Sequence, residues 1–202
     1  MPITLLITGF GPFPGARENP SGLLAQRLAR RRRPAFAGVH RVAHVFPTSY
    51  AALARELPAL LAKHRPDALL MFGLAPRARH LRIETRARNR LSPILPDAER
   101  RKPSALRLAA AGPDVLPVRA PVPRLLSAAR AAGVRASLSH DAGRYLCNAL
   151  LWRALETRAQ YGMPRIAAFV HVPHPQRLAL PALARAGEAI MREILAAARR
   201  TG

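Results

Sequence analysis

The sequence predicts an α/β fold, a single domain over residues 1–202 built on a mostly parallel twisted sheet with helices on both faces. Three observations carry this. Short apolar or alternating runs take turns along the chain with longer segments that open at a helix-capping residue, and several of those close at a glycine. Half of the residues are hydrophobic, enough for a substantial core. The 20 prolines fall at segment ends rather than in one linker, and no internal repeat divides the chain.

In chain order, Ile3–Thr8 (ITLLIT) is a short β-branched apolar run and reads as a buried strand. A Gly/Pro loop, GFGPFPGAREN, follows and carries Phe10 and Phe13. Asn19 then caps a helix with Pro20 at its first position, where a missing N–H costs nothing. GVHRVAHVF alternates as a strand does. Thr48 or Ser49 caps the next helix, in which Pro58 predicts a kink. Asp67–Leu74 (DALLMFGL) is a second continuous apolar strand, and HLRIETRARN alternates as a strand leaving the sheet core. Residues 90–103 are polar, punctuated by proline and expected to be an exposed loop. PVPRLLSAARAAG reads as a helix ended by Gly133, and VRASLS as a strand. A helix from about Tyr145 ends at Gly162, RIAAFVHV is a strand, and the C-terminal segment is one long helix.

The only cysteine is Cys147, so an internal disulfide is excluded. The first residues have no basic region of the secretory type, and no apolar run is long enough to cross a bilayer. The expectation is a cytoplasmic protein whose thiol stays reduced. The formal net charge is +22, which raises the possibility of nucleic-acid binding. Arginine is spread along the whole chain, however, and only Arg30–Arg33 forms a block. A dedicated nucleic-acid binder would interleave aromatics with its arginines in a recognisable module, and neither is present.

In open α/β sheets, sites gather at the carboxyl ends of strands. Such ends here carry GFGPF, an Arg-rich turn leading to Glu84, the segment HDAGRYLCN and His171. A cysteine, a histidine and a carboxylate from separate segments support nucleophilic acyl transfer. The thiolate attacks a carbonyl, the imidazole moves the proton, and the carboxylate orients the imidazole. A helix N-terminus favours the thiolate and offers N–H groups to an oxyanion, and Arg144 adds positive charge nearby. Each residue also has a structural reading. A lone cysteine on an apolar helix is by default a small core residue. Glu84 in an alternating segment is by default a solvated carboxylate facing an arginine. His40, His44, His80, His140 and His174 compete with His171, and spacing alone does not choose among them.

Four segments resemble one family. LLITGFGPFPGARENPS is similar to the N-terminal signature of the pyrrolidone-carboxylate peptidases, also called pyroglutamyl peptidase I, a family of cysteine peptidases. SHDAGRYLCN is similar to that family's cysteine motif and AAFVHVPHPQ to its histidine motif, while LRIETRARN matches its E-x-x-A-x-N glutamate motif more loosely. All come in family order and together span the chain. The resemblance implies Cys147 as nucleophile, His171 as base and Glu84 as its orienting carboxylate, with no metal or organic cofactor. It implies a cytoplasmic enzyme that removes N-terminal pyroglutamate from peptides and forms homodimers or homotetramers.

Pyroglutamate is a small neutral lactam, so its pocket is expected to be mostly apolar with a few polar contacts. Phe10 and Phe13 suit the ring faces. Main-chain groups near Leu74, Tyr145 and Leu146 are candidates for the lactam N–H and C=O. One departure stands out. The family usually has a G-Q-AGGR-like turn after its third strand, and here the chain reads GLAPRAR, with Leu74 in place of the glutamine. A rival reading is therefore a member of the same fold with lost or altered substrate preference.

Overall fold

The computed structural model describes residues 2–13 and 15–201; Met1, Gly202 and Pro14 of the first loop lie outside the described residues. The elements are β1 (Ile3–Phe10), α1 (Pro20–Ala29), β2 (Val39–Phe46), α2 (Tyr50–His64), β3 (Ala68–Leu74) and β4 (Leu81–Glu84). They continue with β5 (Arg86–Arg88), β6 (Val115–Pro117), α3 (Val122–Ala131), β7 (Ala136–Ser139), α4 (Leu146–Tyr161), β8 (Ile166–Val172) and α5 (Leu180–Arg200).

The main sheet has the order β2-β1-β3-β8-β4-β7. β2, β1, β3 and β8 run parallel, whereas β4 pairs antiparallel with β8 and parallel with β7. β4 and β7 therefore run against the other four strands, so their carboxyl ends do not point the same way as those of β1, β3 and β8. The cause is local. Only residues 75–80 separate β3 from β4, too few for the crossover that a parallel return needs.

Successive strand residues face opposite sides, and both sides are covered by helices. Leu5, Ile7, Leu70 and Phe72 pack against α1, α3 and α5. Leu6, Phe10, Met71 and Phe169 pack against α2 and α4. That two-sided burial is why the strands read as continuous apolar runs.

Several local expectations change. β1 runs on through Gly9 to Phe10, so Phe10 belongs to the strand rather than to the first loop. Gly9 permits this because a side chain there would meet the Ser21 carbonyl oxygen at 2.3 Å, where α1 begins. The α2 cap is Ser49, whose Oγ accepts from the Ala52 N–H at 3.2 Å; Thr48 instead donates to the Gly11 carbonyl at 3.1 Å. α2 continues through Pro58 without interruption. The HLRIETRARN segment divides at Thr85. β4 stays in the sheet core, and β5 leaves it to pair with β6 in a separate two-stranded sheet.

The loop over residues 90–103 is not simply exposed. Asp97 is buried and accepts from the backbone N–H groups of Tyr50 (3.0 Å), Glu99 (3.0 Å) and Arg101 (2.8 Å), which folds the loop back onto the start of α2. Among the described residues, no helix is long and apolar enough to cross a membrane.

Candidate active site

Glu84 ends β4 and is 0% exposed. Its Oε1 accepts from Nδ1–H of His171 at 2.8 Å, and the Arg82 Nε lies 4.0 Å from the same oxygen. His171 is the penultimate residue of β8 and is 6% exposed. The antiparallel register sets Arg82 opposite His171, so Glu84 reaches the imidazole from inside the sheet. With Nδ1 bound to the carboxylate, Nε2 is the nitrogen left to exchange a proton.

Cys147 is the second residue of α4 and is partly exposed. Its sulfur lies over Gly73 of β3, where a side-chain carbon would come within 2.7 Å of Sγ and 2.8 Å of the Phe169 ring. Phe169 also packs against His171, with ring centroids 4.9 Å apart. Burial by itself lowers the proton affinity of His171. The charge and hydrogen bond of Cys147, together with the hydrogen bond and charge of Glu84, outweigh it and carry the imidazole pKa up to about 9.

The other histidines are placed elsewhere. His44 faces Glu56 (2.9 Å), His80 faces Ser137 (2.8 Å) and His140 faces Thr85 (2.6 Å). His40 is exposed, and His174 accepts from the Gln176 N–H at 3.4 Å. Arg144 is exposed, three residues before Cys147.

Of the residues read as lining a substrate pocket, Phe13 and Tyr145 meet, with ring centroids 6.3 Å apart. Tyr145 is the N-cap residue of α4 but supplies no side-chain cap, and its hydroxyl donates to the Pro96 carbonyl at 3.0 Å. Phe10 is 3% exposed and packs on Phe46, centroids 6.0 Å apart. Leu146 is buried in the same core cluster, and Leu74, also buried, ends β3 next to Gly73.

Sequence reasoning missed the residues that hold this arrangement in place. Asn148, fully buried, ties α4 to β5: its Oδ1 accepts from the Arg88 N–H (2.8 Å), and its Nδ2 donates to the carbonyls of Arg88 (2.8 Å) and Arg90 (3.0 Å). Asn89 binds the backbone of Leu108, Ala109 and Pro113 in the same way. Their presence in the cysteine and glutamate motifs was the available signal. Tyr50 was missed as well. Its ring stands edge-on to Tyr145, centroids 5.8 Å apart at 87°.

A buried carboxylate, a histidine with raised proton affinity and a partly exposed thiol at a helix start are together equipped for acyl transfer. The family model described as pyroglutamyl peptidase matches residues 3–197. Among curated proteins, the chain is 33% identical over 188 residues to the pyrrolidone-carboxylate peptidase of Thermococcus kodakarensis, covering 92% of this chain and 89% of that one. It is 31% identical over 190 residues to that of Thermococcus onnurineus, covering 93% of each. Among solved structures, the pyrrolidone carboxyl peptidase of Thermococcus litoralis matches with a TM-score of 0.88 at 26% identity, over 99% of this chain and 96% of that one. A mutant pyrrolidone carboxyl peptidase from Pyrococcus furiosus shares the fold, with a TM-score of 0.90 at 24% identity over 96% of this chain and 99% of its own.

Proposed function

The chain belongs to the pyroglutamyl peptidase family of cysteine-type omega peptidases, and from that premise we propose that it hydrolyses the amide bond after an N-terminal pyroglutamyl residue through Cys147, His171 and Glu84. The observation that carries the assignment of roles is the buried hydrogen bond from His171 to Glu84, with the Cys147 sulfur acting on the same imidazole.

The Cys147 thiolate attacks the pyroglutamyl carbonyl, and the N–H groups of the first turn of α4 receive the oxyanion. His171, held protonated by its two neighbours, gives its proton to the departing amine as the C–N bond breaks. A thioester remains on Cys147. Water then loses a proton to His171 and attacks the thioester, which releases pyroglutamate and regenerates the thiolate. Glu84 keeps the imidazole oriented and favours its charged form throughout. Phe13 and Tyr145, with Phe10 behind them, supply the apolar side of the lactam site. Main-chain groups near Leu74, Tyr145 and Leu146 supply its polar contacts. The altered GLAPRAR turn bears on affinity more than on the reaction, because Leu74 is buried and its side chain carries no polar group.

The test is hydrolysis of a chromogenic pyroglutamyl amide. Wild type turns it over and is inactivated by iodoacetamide, since Cys147 is the one thiol; Cys147→Ala does not turn it over and keeps its fold. Full activity in Cys147→Ala removes the assignment.

A further inference from the structure

Tyr50 opens α2, immediately after the cap residue Ser49. Its backbone is fixed by the bond from its N–H to Asp97, and its ring by the edge-on contact with Tyr145. Tyr145 in turn touches Phe13 and lies two residues before Cys147. The Tyr50 ring is thus held against Tyr145, two residues from Cys147.

That hydroxyl is buried and has no hydrogen-bond partner among the described residues. A buried polar atom left unpaired is destabilising, and native structures keep few of them, often where a ligand completes the set. The nearby alternatives are taken or absent. Among side chains, the Tyr145 hydroxyl is committed to Pro96, and the side chain of Leu74 carries no donor. Burial, followed by the charges of Tyr145, Asp97 and Cys147, pushes the Tyr50 phenol far above its ordinary value. It therefore stays an O–H donor wherever the enzyme works, and it lies within electrostatic reach of the sulfur.

We infer that the Tyr50 hydroxyl is the side-chain donor that binds the ring carbonyl of the pyroglutamyl residue, and so helps this site distinguish a lactam from a simple pyrrolidine ring. The inference rests on the pyroglutamyl reading of the site. It goes beyond that reading by assigning Tyr50, which lies outside the triad and outside the sequence motifs, to substrate recognition. A donor left without its acceptor penalises the ring that lacks the carbonyl, so the contact serves selectivity as well as affinity. The ring carbonyl is not the one attacked. The contact is the same in ground state and transition state, and its loss appears in KM rather than in kcat.

The experiment compares wild type with Tyr50→Phe, which removes the hydroxyl and keeps the ring. Three readings are taken: steady-state hydrolysis of a fluorogenic pyroglutamyl amide, calorimetric binding of 2-pyrrolidone, and thermal unfolding. The expected result is a rise of about tenfold in both KM and the 2-pyrrolidone dissociation constant, the size of one neutral hydrogen bond. kcat and the rate of iodoacetamide inactivation stay within about twofold, and the unfolding midpoint is unchanged or higher because an unpaired polar atom has gone. Equal KM and equal 2-pyrrolidone affinity overturn the inference. So does a lower unfolding midpoint, which would show that the hydroxyl has a structural partner. The calorimetric arm separates this inference from its premise. Wild type that binds 2-pyrrolidone about tenfold better than Tyr50→Phe without hydrolysing the amide keeps Tyr50 and removes the peptidase reading. Hydrolysis with equal affinities does the reverse.

Discussion

Gly73 leaves room for the Cys147 sulfur by having no side chain. An added methyl would lie 2.7 Å from the Cys147 sulfur and 2.8 Å from the Phe169 ring, so both must move. Displacing an attacking atom by a fraction of an ångström is costly to the reaction, and Gly73→Ala is expected to lower kcat/KM by about a hundredfold. Circular dichroism should remain native; unchanged kinetics would show that the sulfur has room. The proposed triad carries a pH signature. With the His171 pKa pushed up to about 9, kcat/KM should fall on an alkaline limb in that region as the imidazole loses its proton. Glu84 raises the proton affinity of His171, so Glu84→Gln should move that limb to lower pH and cost less activity than His171→Ala, which removes the proton carrier itself. An alkaline limb that does not move would deny Glu84 its role. The same shift has a stability sign. Because the folded value is raised, the stabilisation is fully present below the ordinary histidine value of 6.5 and fades as pH rises through about 9. At this scale the motifs made Cys147, His171 and Glu84 legible. Glu84 as a buried group was not, because an alternating segment full of arginines gives no sign of which side is covered. Tyr50 and Gly73 were not legible either, since each matters only through a neighbour distant in sequence.

Asn148 joins two elements that periodicity could not show to be neighbours. It binds both backbone groups of Arg88 and the carbonyl of Arg90, and so pins the start of α4 to β5. Asn148→Ala takes the partner from three part-buried backbone groups, at about 1–3 kcal/mol for each that water does not reach. A net loss of about 3 kcal/mol is expected, read as a lower urea midpoint with an unchanged slope, together with reduced activity as the helix start loosens. A midpoint within error of wild type would show that water or a shifted loop replaces the side chain. The long helices and the continuous apolar strands were legible, because a buried face imposes a period over many residues. β5 and β6, three residues each, are too short for a period to register. The reversal of β4 and β7 was not legible from the runs themselves, although the short connection between β3 and β4 contained the reason. The compact turn around Asp97 was hidden because a polar, proline-rich segment reads as exposed unless its carboxylate is known to be buried.

For the whole molecule, the two core clusters lie on opposite faces of one sheet, and adjacent residues of the same strands serve both, as Leu5 and Leu6 do. We propose that the chain is one folding unit, and calorimetry should give a single transition with matching calorimetric and van't Hoff enthalpies. Two resolved transitions would contradict that. The net charge of +22 acts at long range. It repels a cationic amino terminus approaching the site, and the apolar surroundings of Phe13 and Tyr145 penalise an unpaired ammonium once inside. Pyroglutamate carries no such charge, whereas glutaminyl and prolyl residues do. The most direct test is therefore kcat/KM for pyroglutamyl, glutaminyl and prolyl amides of one fluorophore, measured with wild type and with Cys147→Ala. We expect cleavage of the pyroglutamyl amide alone, and none in the variant. Comparable values for all three amides, or undiminished cleavage without the thiol, would contradict a Cys147 peptidase that reads the lactam.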